Sequence, residues 1–334
     1  MQQKVSITGA QFCGALLVSL AVLATANFVV ARLTAQSVSR RLLLDAQSSP
    51  SATVIALGNS LMRSGFIADV FSPPPSPRAR SAAINLAMGA STPPEQLLLL
   101  RAALRSMPNA RLLLYGFYDF QLTDAVEFRN VELIGNHDIL YYDEPDLARR
   151  FYQMSPYDAA AFSIDRHLPL LAERGAVWAK VELLRRALGQ QGMPPEARSQ
   201  FGRAADFTLL EAKNRQEFEQ HCALASEAPL NAPVREIIRE AHDRGLRVVF
   251  FVMPLPPRHI RLFYDTQAWA SYQQHVEKLL ADQGVAYLDA SRLISDPGKF
   301  GDALHLSESG AQEFSRRLAG LCADPAYRKS CGQE

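Results

Sequence analysis

The order of apolar and polar residues predicts strands that alternate with helices over most of the chain. Short apolar runs rich in β-branched and aromatic side chains are typical of buried strands, and they occur at residues 53–57, 82–86, 111–115, 247–252 and 285–288. Helical patterns lie between them, at residues 95–106, 233–244, 268–283 and 308–321. Strands joined in this way by helices form a parallel sheet. We therefore predict an α/β fold, a flavodoxin-like three-layer α/β/α sandwich.

One long apolar segment precedes this pattern. Residues 7–31 carry no charged side chain, and a helix of roughly 20 apolar residues can already span a bilayer. Two other interpretations stay open, because Ala24-Thr25-Ala26 fits a signal-peptidase site and a soluble protein can bury an apolar helix. The apolar run continues beyond Ala26, which favours an uncleaved anchor. We predict a transmembrane anchor over residues 1–33 and a connector over residues 34–51.

The charges around this segment bear on its orientation. Lys4 precedes it, whereas Arg32, Arg40 and Arg41 follow it. Taken alone, the positive-inside rule would leave the folded body in the cytoplasm, but long domains cross the membrane despite a modest charge bias. We expect a single-pass membrane protein whose folded body lies in the periplasm or outside the cell.

Composition excludes several classes of partner and cofactor. The net charge is +1 and no basic stripe is interleaved with aromatic residues, so we expect no nucleic acid partner. The sequence contains no C-x-x-C pair, H-E-x-x-H motif, Walker A motif or G-x-G-x-x-G motif. We therefore predict no metal and no cofactor. Cys322 and Cys331 could form a disulfide if the body faces an oxidising compartment.

Ser60 follows the first predicted strand, in the sequence Gly58-Asn59-Ser60-Leu61. A helical pattern starts directly after it, so the serine lies where a strand leads into a helix at the carboxyl edge of the sheet. A hydroxyl there faces the region in which α/β proteins bind ligands. Ordinary turn chemistry is the alternative interpretation. The motif is not the nucleophile elbow of α/β-hydrolases, because Met62 stands at the second glycine position.

A second candidate stretch, Asp302-Ala303-Leu304-His305, lies before the last predicted helix. An aspartate three residues before a histidine can orient the imidazole while the far ring nitrogen faces a serine. The alternative is a helix-capping aspartate beside a surface histidine. Together with Ser60, the stretch predicts a catalytic triad of Ser60, His305 and Asp302.

These two stretches resemble the first and last sequence blocks of the SGNH/GDSL hydrolases. The resemblance covers roughly residues 53–321, apart from a middle insertion. Residues 85–91 resemble the second block, which implies that the N–H of Gly89 binds an oxyanion together with the N–H of Ser60. The third block, G-x-N-D, aligns with residues 116–119. Tyr118 stands there in place of the oxyanion-site asparagine, and Asn59 replaces the aspartate of the GDS form. The phenol of Tyr118 either donates to the oxyanion or packs at the strand end.

The strand–helix alternation is lost between residues 120 and 230. Helical patterns occur there instead, the clearest at residues 176–188, and Met193-Pro194-Pro195 interrupts them. We interpret this stretch as an insertion within an SGNH-like domain over residues 52–325, followed by a tail over residues 326–334. It is either a cap over the active site or a separate helical domain without a part in the chemistry.

The resemblance implies a serine acyltransferase or esterase. Anchored members of the family modify exported glycans, which implies O-acetylation or deacetylation of a cell-surface polysaccharide, often beside a polytopic membrane-bound O-acyltransferase. Two other functions remain open. One is an esterase acting on membrane lipids. The other is a non-catalytic scaffold of an envelope assembly that retains the fold, an interpretation that Tyr118 makes credible.

Overall fold

A computed structural model describes residues 9–35, 37–74, 76, 81–123, 139–152, 154–165, 167–173, 177, 181 and 207–323. The chain divides into two compact units. The helical unit comprises Met1–Arg41 and Leu133–Gly192, and the sheet unit comprises Leu42–Glu132 and Met193–Glu334. This division groups the N-terminal segment with part of the predicted insertion, whereas the sequence pattern separates them. The predicted helix at residues 176–188, apart from 177 and 181, and Cys331 lie outside the described residues.

The sheet unit contains a five-stranded sheet in which every strand pair is parallel. Its strands are β1 (Val54–Gly58), β2 (Ala83–Asn85), β3 (Leu112–Phe117), β4 (Arg247–Val252) and β5 (Ala286–Asp289), and their order is β2-β1-β3-β4-β5. The predicted parallel α/β sheet is confirmed, and each strand lies within two residues of its predicted bounds. This order is that of flavodoxin-like doubly wound sheets, in which ligands bind at the carboxyl ends of the strands.

Twelve helices are labelled here in chain order among the described residues. They are α1 (Gly9–Thr34), α2 (Val38–Gln47), α3 (Ser60–Gly65), α4 (Ala68–Phe71), α5 (Pro93–Ser106), α6 (Pro145–Tyr152), α7 (Pro156–Asp165), α8 (Pro169–Ala172), α9 (Phe207–Ala225), α10 (Ala232–Asp243), α11 (Gln267–Ala281) and α12 (Glu308–Ala323). A short turn of helix at Pro257–His259 continues as a π-helical turn at Ile260–Tyr264.

Helices cover both faces of the sheet. The hydroxyl of Tyr115 in β3 donates to the side-chain oxygen of Gln96 in α5. A Cβ placed on the next residue, Gly116, would lie 2.9 Å from the sulfur of Met62 in α3. Because successive residues of a strand point to opposite faces, α5 and α3 lie on opposite sides of the sheet. All six residues of β3 are buried, as expected for a parallel sheet covered on both faces.

In the helical unit, α1 has an exposed part and a packed part. The apolar side chains from Phe12 to Leu23 are exposed, whereas Val30 and Thr34 are buried. The N–H of Leu170 in α8 donates to Oδ1 of Asn27 at 3.0 Å. The helix has 26 residues, and an 18-residue window of it has a mean hydropathy of 2.2, so it is long and apolar enough to be a membrane anchor or a signal sequence. From Asn27 onward the helix packs on one side only, because Phe28, Val29 and Leu33 stay exposed there while Val30 and Thr34 are buried.

Candidate active site

The strand-to-helix turn after β1 places Ser60 at the carboxyl edge of the sheet. Ser60 is the first residue of α3, and Asn59 caps this helix by accepting a hydrogen bond from the N–H of Leu61 at 3.0 Å. Gly58 has a φ of +149°. A Cβ there would collide with the carbonyl oxygen of Gly116. Only glycine therefore fits this turn without a shift of the backbone.

The structure brings Ser60, His305 and Asp302 together in one hydrogen-bonded line. Nε2 of His305 lies 3.0 Å from Oγ of Ser60. Nδ1 of His305 lies 2.8 Å from Oδ2 of Asp302. The loop that carries them is closed by the N–H of Gly301, which donates to the carbonyl oxygen of His305 at 2.8 Å. The imidazole therefore bridges the serine hydroxyl and the carboxylate, the arrangement in which a histidine can remove a serine proton.

The electrostatics of Asp302 favour its charged form. Partial burial alone would raise the pKa of this carboxyl group, but hydrogen bonds from the N–H groups of His305 and Leu304 outweigh it, and the pKa lies below its ordinary value. Oδ1 accepts these two bonds at 2.7 and 2.8 Å. At neutral pH the carboxylate is ionised and accepts from Nδ1–H of His305. Nε2 is then left as the acceptor for the Ser60 hydroxyl.

The loop after β2 brings Gly89 beside Ser60. The N–H of Met88 donates to the carbonyl oxygen of Gly58 at 3.1 Å, and the hydroxyl of Ser91 donates to the same oxygen at 3.2 Å. A Cβ placed on Gly89 would lie 4.0 Å from Cβ of Ser60. This loop is therefore fixed against the end of β1, with the backbone of Gly89 next to the serine.

The loop after β3 is held by residues from distant parts of the chain. Asp119 has a φ of +48°, and its N–H donates to the hydroxyl oxygen of Tyr264 at 3.0 Å. Burial, and after it the charge of Asp119, raise the pKa of Tyr264, so its hydroxyl stays protonated and donates to Oδ1 of Asp119 at 3.0 Å. Further along, Asn231 donates through Nδ2 to the carbonyl oxygen of Gln121 at 3.0 Å.

A cavity of about 310 Å³ lies between these three loops. Its lining comprises Asn59, Ser60, Ala90, Ser91, Thr92, Tyr118, Asp119, Phe120 and Gln121. The predicted site residue Tyr118 therefore lies in the same cavity as Ser60. The ring of Phe120 stacks on His221 in α9, with centroids 5.1 Å apart. The end of the predicted insertion thus contacts a residue that lines the cavity.

Sequence reasoning missed Gln121, Asn231 and Tyr264. Asn231 precedes Ala232-Pro233 at the start of α10, a helix-capping signal that could have drawn attention to it. Gln121 and Tyr264 carry no local signal for this role, because the hydrogen bonds that tie them to the site join residues far apart in the sequence. Among the described residues, no group of three or more His, Cys, Asp or Glu side chains could hold a metal ion.

Comparisons with known proteins add little to this geometry. No protein family model and no curated protein matches the chain. One similar solved structure is a Streptococcus pneumonia protein provisionally described as a platelet activating factor, with a TM-score of 0.39 and 12% identity over 92% of this chain and 98% of that one. Another is a Bacteroides fragilis protein provisionally described as an acylhydrolase, with a TM-score of 0.39 and 10% identity over 87% and 96%. Neither likeness carries an argument about fold or function.

Proposed function

We propose that the protein is a serine-dependent acyl-transfer enzyme, an esterase or an O-acyltransferase. The observation that carries this proposal is the line from Ser60 through His305 to Asp302, with distances of 3.0 and 2.8 Å. Ser60 lines a cavity of about 310 Å³, together with Tyr118 and Gln121. A surface histidine and a capping aspartate would explain neither the contact between His305 and Ser60 nor its position beside this cavity.

In the first half of the reaction, Oγ of Ser60 attacks an acyl carbonyl carbon and its proton moves to Nε2 of His305. The negative oxygen that forms accepts hydrogen bonds from the N–H groups of Ser60 and Gly89. Tyr118 is a candidate for a third donor. As the tetrahedral intermediate collapses, His305 gives its proton to the leaving alcohol, and the acyl group stays on Ser60 as an ester.

In the second half, an acceptor hydroxyl gives its proton to His305 and attacks the acyl carbonyl. The bond to Ser60 breaks, and the proton returns from His305 to the serine oxygen. The acceptor is water in an esterase and a sugar hydroxyl in a transferase. Asp302 stays ionised throughout and stabilises the imidazolium that forms in each half.

The substrate class and location follow from the family resemblance and from α1. We propose that α1 is an uncleaved anchor and that the sheet unit lies outside the cytoplasm. We further propose that the enzyme O-acetylates or deacetylates an exported cell-surface polysaccharide. A polytopic membrane-bound O-acyltransferase would then supply the acyl group. Tethering to the membrane raises the effective concentration of such a donor, which favours transfer over hydrolysis. The same tether would also serve an esterase of membrane lipids.

Replacement of the triad tests the chemistry. Ser60→Ala and His305→Ala should each remove nearly all turnover of p-nitrophenyl acetate, and Asp302→Asn should be severely impaired, because the three residues act as a unit. Ser271→Ala, an exposed serine on α11, is the matched control and should retain wild-type turnover. Unchanged turnover in Ser60→Ala would refute the proposal.

A second assay separates transfer from hydrolysis. Purified protein receives an acetyl donor with and without an oligosaccharide acceptor, and acetylated oligosaccharide and free acetate are both measured. A transferase should acetylate the acceptor and release less acetate when it is present. Rapid release of acetate that does not respond to the acceptor would identify an esterase instead.

A further inference from the structure

We propose that the side-chain amide of Gln121 donates a hydrogen bond to the acyl oxygen of the substrate, as the third donor of the oxyanion site. This role presupposes the proposed acyl transfer at Ser60 and adds one residue to it. Tyr118 stands at the asparagine position of the G-x-N-D block that residues 116–119 resemble, so this chain has no side-chain amide at that position. Gln121 lies three residues further along the same loop and carries the same chemical group.

The orientation of the Gln121 amide is fixed by Asn59. The backbone N–H of Leu61 can only donate, and it bonds to Oδ1 of Asn59 at 3.0 Å. Nδ2 is therefore the Asn59 atom that faces Gln121, and it lies 3.2 Å from Oε1 of Gln121. An amide nitrogen donates and cannot accept, so the Gln121 atom that receives this bond must be its oxygen. The NH₂ group of Gln121 is thereby turned away from Asn59.

This NH₂ group is available to a ligand. The part of the chain that the structure describes offers it no hydrogen-bond acceptor, and Gln121 is half-buried in the wall of the cavity that contains Ser60. A half-buried amide donor beside a nucleophile suits an oxygen that carries partial or full negative charge.

The backbone around Gln121 is held in place before any substrate arrives. Its carbonyl oxygen accepts from Nδ2 of Asn231 at 3.0 Å, and the carbonyl oxygen of Leu122 accepts from the N–H of Asn231 at 2.9 Å. The hydroxyl of Tyr264 holds Asp119 two residues earlier. A donor fixed in this way stabilises developing charge without reorganising during the reaction, which is the basis of oxyanion stabilisation.

The positions of the loops identify the substrate oxygen that Gln121 contacts. His305 occupies one side of the Ser60 hydroxyl at 3.0 Å, and it must face the leaving group to protonate it. The cavity is lined by the loops after β1, β2 and β3, on which Ser60, Gly89 and Gln121 lie. An acyl group in this cavity, with its leaving group at His305, therefore directs its carbonyl oxygen towards the donors on these loops.

Two substitutions at Gln121 test the role by different means. Gln121→Met removes the amide at similar length, and Gln121→Glu keeps an acceptor for Asn59 but replaces the donor with a charged oxygen. In Gln121→Met, kcat for p-nitrophenyl acetate should fall roughly 100- to 1000-fold with little change in KM, as for the loss of one oxyanion donor. In Gln121→Glu, kcat should fall further, because a negatively charged carboxylate oxygen then faces the oxyanion. Tyr118→Phe should lower kcat far less than either.

Controls separate this role from folding and from the proposed function itself. Gln283→Glu makes the same charge change at an exposed position before β5, at the amino edge of the sheet, and should retain wild-type kcat. Labelling of Ser60 by a fluorophosphonate and the thermal unfolding midpoint show whether each variant is folded. If the wild type hydrolyses p-nitrophenyl acetate and both folded Gln121 variants retain its kcat, the role of Gln121 is wrong but the proposal of acyl transfer at Ser60 stands. If the folded wild type neither hydrolyses the ester nor reacts with the fluorophosphonate, both the Gln121 role and acyl transfer at Ser60 are wrong.

Discussion

Asp302 is the residue whose ionisation links the candidate site to the stability of the fold. Its pKa is lower in the folded protein than the ordinary value of about 3.9, because backbone and imidazole N–H groups bond to the carboxylate. The unfolded chain therefore binds this proton more readily. The stabilising contribution of Asp302 is complete above the ordinary pKa and is lost as the pH falls through the lower, folded value.

We expect this contribution to appear in urea unfolding measured between pH 7 and pH 3. The wild type should be more stable than Asp302→Asn at pH 7, and the difference in the free energy of unfolding should shrink below about pH 4. Asp302→Asn cannot ionise, so it supplies the reference at each pH. A difference that stays constant across this range would show that the carboxylate contributes nothing through its charge.

At the scale of residues, spacing predicted Ser60, Asp302 and His305 as neighbours, and the structure places them together. The prediction was possible because Asp302 and His305 are close in sequence and Ser60 comes just after a strongly apolar strand and its glycine. Gln121 was not predictable in the same way. Its orientation depends on Asn59, 62 residues earlier, and on the fact that the cap of α3 fixes that amide.

At the scale of elements, Asn231 links α10 to the loop after β3. Its Oδ1 caps the helix by accepting from the N–H of Val234 at 3.0 Å, while its Nδ2 donates to the carbonyl oxygen of Gln121. Asn231→Asp keeps the oxygen for the cap and removes the donor for the loop. We expect kcat to fall in this variant, because the loop that lines the cavity loses a fixed bond and a carboxylate faces a carbonyl oxygen.

Asn231→Ala is the matched comparison for this prediction. It removes both bonds, so the helix cap is lost as well, at a cost of about 1 kcal/mol in the free energy of unfolding. Steady-state kinetics and urea unfolding on both variants separate the two roles. Equal kcat in wild type and Asn231→Asp would show that the loop holds its position without this bond.

The strands were predictable because buried parallel strands carry continuous apolar runs. The helical turns at Pro257–His259 and Ile260–Tyr264 were not, since a proline-rich stretch after β4 indicates only that the strand ends. The conformation of this segment depends on contacts of Tyr264 with distant residues, among them Phe218 in α9, whose ring centroid lies 6.2 Å away. The ring of Tyr264 stacks on Trp269, with centroids 3.7 Å apart. In this position the hydroxyl oxygen of Tyr264 accepts a hydrogen bond from the N–H of Asp119.

At the scale of the whole molecule, α1 is long and apolar enough to be a membrane anchor or a signal sequence. Its exposed part is apolar, and its length and composition suit a membrane span. We expect the protein to sediment with membranes and to resist extraction by alkaline carbonate. Leu17→Arg with Leu20→Arg should release it, because each arginine costs about 2.5–3.5 kcal/mol near the centre of a membrane helix.

A matched control and a mass measurement complete this test. Leu224→Arg introduces the same charge at an apolar side chain of α9 that is 72% exposed, and it should stay with the membrane fraction. A mature chain that begins at Asn27 would contradict the anchor and establish a cleaved signal sequence. The apolar run predicted α1 itself, but not its packed end, because that packing depends on Leu170, 143 residues away.

The stacking of Trp269 on Tyr264 also provides a fluorescence signal for the candidate site. The chain has two tryptophans, Trp178 and Trp269, so Trp178→Phe leaves one indole as the source of emission. Tyr264 contacts that indole on one side and Asp119, in the cavity wall, on the other. A molecule that enters the cavity and displaces Asp119 should therefore change the fluorescence of Trp269. Stopped-flow recording of that signal would time the arrival of colourless acyl donors and sugar acceptors at Ser60.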